Sequence, residues 1–323
     1  MSAMRYHSSG KDPLCGGIKS YTHKFRRYVL GLLQCMTIDD VSYNVGMSWN
    51  TIKNIEKKLL QTHYSNPDLS NLQRIGIDEF SVAKGHSYMT VVMDLDRSKV
   101  IYVGEGRTSE CLDKFWAKLR SKNIKLKAIA MDMWPAYIKS VLDNAPETDI
   151  IFDRFHIVKM LNKAIDELRR DIYRDETDLN KRTLMKGTRW VILLNPDKLT
   201  DKTKSKLDAA LAVNKPLAAA YYLKEELRLL WSQKNISEAL SFLEQWVKKA
   251  AESGIKKLIA FANTLISHRT DIINWYKHRI STGPLEGFNN KIKVLKRRAY
   301  GYRDFEFFIL KIYALHSTRY ALL

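Results

Sequence analysis

A chain of 323 residues that is 45% hydrophobic and 28% charged has enough apolar material for a sizeable core and for two or three domains. Its 54 Lys and Arg against 35 Asp and Glu leave a net charge of +19, which points to a polyanionic partner, nucleic acid first, while the lack of a basic amphipathic anchor sets a membrane surface aside. Three scattered cysteines, Cys15, Cys35 and Cys111, exclude a disulfide framework or a CxxC zinc site and fit a reducing compartment. The polar start MSAMRYHSSGKDP has no apolar h-region, and no apolar run approaches the roughly 18–20 residues of a membrane span, so a cytoplasmic protein with no membrane partner is expected.

Residues 37–60 predict two short amphipathic helices around Gly46, with Ile38, Val41 and Val45 lining the first and Ile52, Ile55 and Leu59 the second. Thr37 with Asp40 makes a capping pair for the first and Ser48 caps the second. Such a pair with polar residues outward is the pattern of a helix-turn-helix, in which Ser48, Asn50, Lys53 and Lys57 would contact DNA. Many helical hairpins share this pattern and touch no DNA.

After the turn-rich NPDLSN (66–71), three β-rich runs follow at 74–80, 87–95 and 99–105, and suggest three antiparallel strands. A helical spacing at 109–122, a short buried-type strand at 127–132, a helix from Pro135 and a strand at 149–153 complete the series. Strand, strand, strand, helix, strand, helix, strand is the order of the RNase H-like fold, an α/β (α+β) class. From about His156 to about Lys277 the pattern is almost wholly helical, with Trp190, Trp231, Trp246 and Trp275 as expected core anchors. The expected organisation is therefore a helical DNA-binding region over 1–70 and a catalytic domain over 71–323, the latter interrupted by a helical insertion at about 157–280.

The closing stretch STGPLEGFNNKIKVLKRRAYG (281–301) sets one carboxylate, Glu286, at the head of a strongly basic helix. Leu285, Phe288, Ile292, Leu295 and Ala299 form its apolar stripe, and Glu286, Asn290, Lys293 and Arg297 its polar face. A first-turn glutamate is commonly a helix-start device, stabilising free N–H groups by about 0.3–1 kcal/mol. Asp78 and Asp132 each stand at the end of a strand pattern, where a turn or capping aspartate is the ordinary explanation. Glu79, Asp94 and Asp96 read as turn and surface charges, and Trp134 as core packing.

Taken together the three carboxylates weigh differently. The first and fourth strands of an RNase H-like sheet are neighbours, so Asp78 and Asp132 are expected to meet, with Glu286 joining them within metal-bridging distance. Clustered carboxylates raise one another's pKa unless a cation neutralises them. Hard cations take oxygen ligands, and three carboxylates suffice for two-ion phosphoryl chemistry with Mg²⁺ or Mn²⁺. Lys296, Arg297 and Arg298, with Asn290 and Lys293, then have a target in DNA phosphates.

The blocks IGIDEFSVAKGHSYMTVV, AIAMDMWPAYIKSV, DRFHIVKMLNKAID and GPLEGFNNKIKVLKRRAYGYR, in this order, resemble the signature blocks of bacterial insertion-sequence transposases of the DDE type, the ISL-three group. The resemblance runs from about Tyr21 to the C-terminus and implies that Asp78, Asp132 and Glu286 are the catalytic, metal-binding residues, supported by Asp153 and His156. It implies cleavage at transposon ends and strand transfer to target DNA, by a homo-oligomer on DNA at the bacterial nucleoid. Members usually begin with a zinc ribbon bearing paired cysteines, and this sequence starts too late to hold one, so a truncated frame or a shorter variant is expected. Two other functions fit the residues: a non-catalytic DNA-binding regulator, and an RNase H-like nuclease or resolvase that only hydrolyses. Metal-dependent cleavage separates the first from a transposase, and strand transfer separates the second.

Overall fold

The computed structural model describes residues 21–83 and 87–316; Cys15 and the polar N-terminal stretch lie outside them. Three helices come first, α1 (His23–Leu32), α2 (Ile38–Val45) and α3 (Trp49–Tyr64), capped by the side chains of Thr22, Thr37 and Ser48. Thr37 and Asp40 form the reciprocal box expected of them, and such a cap is worth about 1 kcal/mol. Gly46 closes α2 at φ 64°, a left-handed conformation that costs glycine little, so the chain can reverse directly into α3. Val29, Leu33, Val41, Ile52 and Ile55 share one core under the three helices. Helix α3 runs on to Tyr64 and buries Leu60 rather than Leu59.

The strands are β1 (Arg74–Ala83), β2 (Ser87–Asp94), β3 (Lys99–Glu105), β4 (Ala128–Met131) and β5 (Asp149–Phe152), in one sheet of order β3-β2-β1-β4-β5. β2 and β3 pair antiparallel, whereas β4 runs parallel to both β1 and β5. Helix α4 (Asp113–Ser121) lies between β3 and β4 in the chain, and α5 (Pro135–Asn144) between β4 and β5. All four residues of β4 are buried, as suits a parallel strand with no solvent face. Asp94 is buried, contrary to its reading as a surface charge. Its Oδ1 accepts the N–H groups of Asp96 and Arg97 at 2.9 and 3.1 Å and so builds the β2–β3 turn.

The chain then turns helical: α6 (Arg154–Asp175), α7 (Leu179–Met185), α8 (Arg189–Leu193), α9 (Asp201–Ala212), α10 (Lys215–Leu227), α11 (Ile236–Glu252), α12 (Lys256–Ser267), α13 (Arg269–Ile273) and α14 (Trp275–His278). No strand interrupts them among the described residues. Trp246 and Trp231 are core anchors as expected, and the Trp246 indole donates to the Leu223 carbonyl at 2.8 Å. Trp190 is not: it is 71% exposed, because the short α8 turns Val191 and Ile192 inward instead. Two last helices, α15 (Gly283–Arg298) and α16 (Phe305–Ala314), complete the described chain. Among the described residues no helix is long and apolar enough to cross a membrane.

By compactness the chain divides into two units. The first gathers the described residues of Met1–Leu72, Asp78–Ile124 and Gly283–Leu323, the second Gln73–Ile77 and Lys125–Thr282. In the first, Leu285, Phe288, Ile292 and Leu295 of α15 pack with Phe80, Met89, Val91 and Met93 of β1 and β2 and with Phe308 and Ile312 of α16. Each such side chain contributes about 1.5–3 kcal/mol on burial. In the second, α6 buries Ile157, Leu161 and Ile165 along one stripe.

Candidate active site

In the first unit, Asp78 lies on β1 two residues before Phe80, and alternation sends both to the same face. Phe80 belongs to the core that α15 covers. The Asp78 carboxylate is held from two sides: Oδ1 accepts the N–H of Glu79 at 2.8 Å, and Oδ2 accepts the side-chain amide of Asn289 at 2.8 Å. Glu286 is exposed in the first turn of α15, one turn before Asn289. One helix therefore carries Glu286 and also grips Asp78.

Asn289 was missed by sequence reasoning, which placed the exposed Asn290 on the polar face. The signal was present: position 289 is four after Leu285 and three before Ile292, inside the apolar stripe, where a polar residue needs a partner. Asn289 is buried beside those two residues.

In the second unit, Asp132 follows β4 and approaches His156 Nδ1 at 3.8 Å. Burial pushes its carboxyl above the usual carboxylate range; Asp153 adds to this, while His156, the N–H of Trp134 and Lys159 pull against it. Among the described residues its Oδ1 is buried with no hydrogen-bond partner. Asp153 serves the backbone: its Oδ1 accepts the N–H of Phe155 at 2.6 Å, capping α6, and its Oδ2 accepts the N–H of Thr282 at 2.7 Å. The supporting pair thus divides, with Asp153 bracing backbone and His156 facing Asp132.

A hard divalent cation suits these donors, since carboxylate oxygens are its preferred ligands and a buried carboxylate oxygen without a partner gains most from one. Among the described residues no group of three or more His, Cys, Asp and Glu side chains could hold a metal ion. Magnesium in particular is held by one or two protein carboxylates together with substrate phosphates, so a full protein cage is not required of such a site.

The expected DNA contacts fall into two groups. Ser48 and Asn50 at the start of α3 are exposed, as are Asn290, Lys293, Arg297 and Arg298 on α15, and the Lys296 ammonium donates to the Ser81 carbonyl at 2.9 Å. Lys53 and Lys57 instead turn inward to the head of α16. Lys53 pairs with Asp304 at 3.2 Å, and Lys57 with Asp304 at 2.9 Å and Glu306 at 2.7 Å. Period-based reading places them outward, but α16 comes from the far end of the sequence and supplies the acids that draw them in.

The sheet, the carboxylate-headed basic helix and the half-buried aspartate beyond β4 have the makings of a phosphoryl-transfer enzyme working on DNA. The chain belongs to the transposase family of the DDE type, ISL-three group, whose family model matches residues 75–312. It is similar to the transposase of insertion sequence element IS1001 of Bordetella parapertussis, at 35% identity over 93% of this chain and 74% of that one. It is also similar to the transposase of IS1557 of Mycobacterium tuberculosis, at 26% identity over 88% of this chain and 69% of the relative. A solved Drosophila P element transposase strand transfer complex aligns over 94% of each chain with 10% identity and a TM-score of 0.47, too loose a likeness to carry argument. The protein is a DNA-cleaving transposase, DNA is its partner, and its chemistry depends on a divalent metal.

Proposed function

We propose that this transposase uses Asp78, Asp132 and Glu286 as the ligands of one or two Mg²⁺ or Mn²⁺ ions, cleaves DNA at the ends of its element, and joins the freed 3′-hydroxyl to target DNA. What carries the reading is the Asp78–Asn289 hydrogen bond, which ties the β1 aspartate to the helix headed by Glu286. Position along the strands supports the third residue: Gly76 of β1 pairs with Ala130 of β4, and Asp78 and Asp132 each follow two residues later. The sheet order, an antiparallel β2–β3 pair followed by parallel β1–β4–β5 pairing, supports an RNase H-like core. The helices of 157–280 are then its insertion and the helices before residue 70 its DNA-binding region, working as a homo-oligomer on DNA.

In the first step water attacks a backbone phosphorus and the 3′-oxygen leaves as a hydroxyl; in the second that hydroxyl attacks a target phosphodiester and displaces another 3′-oxygen. Bound cations would supply deprotonation of the attacking oxygen and charge relief for the leaving one. Asn289 and the Glu79 N–H hold the Asp78 carboxylate, Glu286 stands where the helix dipole favours an anion, and Lys293, Arg297 and Arg298 follow it as phosphate contacts. His156 stabilises the ionised Asp132.

Purified protein incubated with DNA carrying the element's ends tests this. Nicks at the end junctions with Mg²⁺, loss of nicking in chelator and joined products with target DNA are expected. Cleavage that survives Asp78→Asn, Asp132→Asn or Glu286→Gln would overturn the residue assignment, and cleavage without joining would leave a nuclease.

A further inference from the structure

Asn289 is 5% exposed, and the two ends of its amide meet different surroundings. Nδ2 donates to Asp78 Oδ2 at 2.8 Å, while Oδ1 is buried with no hydrogen-bond partner among the described residues. Packing does not account for such a residue. A leucine would fill a similar volume between Leu285 and Ile292 without removing an amide from water, and a buried carbonyl left unpaired is costly. The amide must therefore be retained for what its donor end does.

That end fixes Asp78. An aspartate has two side-chain torsions, and here one carboxylate oxygen is held by a β1 backbone N–H and the other by a helix side chain. With both oxygens anchored, the carboxylate plane is set relative to α15. Asn289 stands one turn after Glu286, so a single helix sets the orientation of Asp78 and presents Glu286.

We propose that Asn289 is a positioning residue of the transposase site: its amide orients the Asp78 carboxylate for cation binding and so sets the affinity of the site for a divalent metal. The inference rests on the reading of Asp78 and Glu286 as metal ligands. Asn289 acts through Asp78 and touches no reacting atom. Loss of a hydrogen bond that orients a ligating group typically weakens metal binding about 10–100-fold.

The test measures Mn²⁺ binding to the full-length, DNA-free protein by calorimetry, together with thermal melting and the Mn²⁺ concentration for half-maximal end cleavage. Asn289→Leu is expected to melt near the parent protein, to bind Mn²⁺ about 10-fold more weakly or worse, and to regain cleavage as Mn²⁺ is raised. Unchanged Mn²⁺ affinity and unchanged half-saturation would overturn the proposal, including when the melting temperature falls, since that is the mark of a packing role. If Asn289→Leu does not fold, Asn289→Ala also removes the donor and is judged by the same two numbers. Asp78→Asn and Glu286→Gln run alongside. If they keep Mn²⁺ affinity and cleavage, the ligand reading fails and the inference with it; if they lose both while the Asn289 variants keep both, the inference alone fails.

Discussion

The N–H of Thr282 donates to Asp153 Oδ2 at 2.7 Å across 129 positions of chain, while Oδ1 of the same carboxylate caps α6. One buried side chain thereby fixes the start of α6 and the residue that leads into α15, four positions before Glu286. Asp153→Ala would leave two backbone N–H groups without their acceptors, each worth about 1–3 kcal/mol when buried. The expected loss is about 2–4 kcal/mol in urea denaturation, while Asp153→Asn, which keeps one acceptor oxygen, should lose about half as much. Equal stability of Asp153→Ala and the parent would show that the bridge holds nothing.

Asp304 gives the protein an acid-sensitive contact between α3 and α16. Burial would raise its pKa, but the N–H of Phe307 and the ammonium groups of Lys57 and Lys53 outweigh it and hold the carboxyl at about 2. A folded pKa below the unfolded value of roughly 3.9 means that the stabilisation is fully present above that value and is lost as pH falls through about 2. With partial exposure discounted, it amounts to roughly 1–2 kcal/mol. Urea melts at neutral pH and down to the acid limit should show the parent losing this amount relative to Asp304→Asn, which has little left to lose. Parallel acid profiles would remove Asp304 as the cause.

Much of this was legible in the sequence because the signals were local. The Thr37–Asp40 box, the Gly46 reversal, the strand runs and the apolar stripe of α15 all lie within a few residues of the groups that cause them. The residues that escaped depend on partners far along the chain. Asn289 looks like a stray polar residue until β1 brings Asp78 to it, and Lys53 and Lys57 look solvent-facing until α16 supplies Asp304 and Glu306. Trp190 failed for a different reason: a five-residue helix carries too little periodicity to say which face is inside.

DNA affinity should follow the division between exposed and paired cations. Lys293 and Arg297 are exposed, so replacing either of them with alanine should lower the slope of log affinity against log salt by about one. Lys53→Ala with Lys57→Ala removes ion pairs that already neutralise both charges, so the slope should fall by less than about two while the melting temperature drops. Binding titrations over a range of salt measure both. A full two-unit fall with unchanged melting would mean that DNA takes these lysines away from α16.

Replacing Glu286 tests folding and the proposed chemistry separately. It sits in the first turn of α15, exposed, where its contribution to stability is that of a carboxylate near a helix start, about 0.3–1 kcal/mol. Glu286→Gln keeps the shape and loses the anionic oxygen, so the protein should melt within a few degrees of the parent. DNA binding should persist as well, because Lys293, Arg297 and Arg298 on the same helix are untouched. Metal-dependent end cleavage should fall by orders of magnitude if that oxygen helps to hold the cation that relieves charge on the leaving group. Melting, salt-dependent binding and cleavage measured on one preparation read these three consequences independently. Cleavage retained at the parent rate would return Glu286 to a helix-start role and remove it from the proposed ligand set.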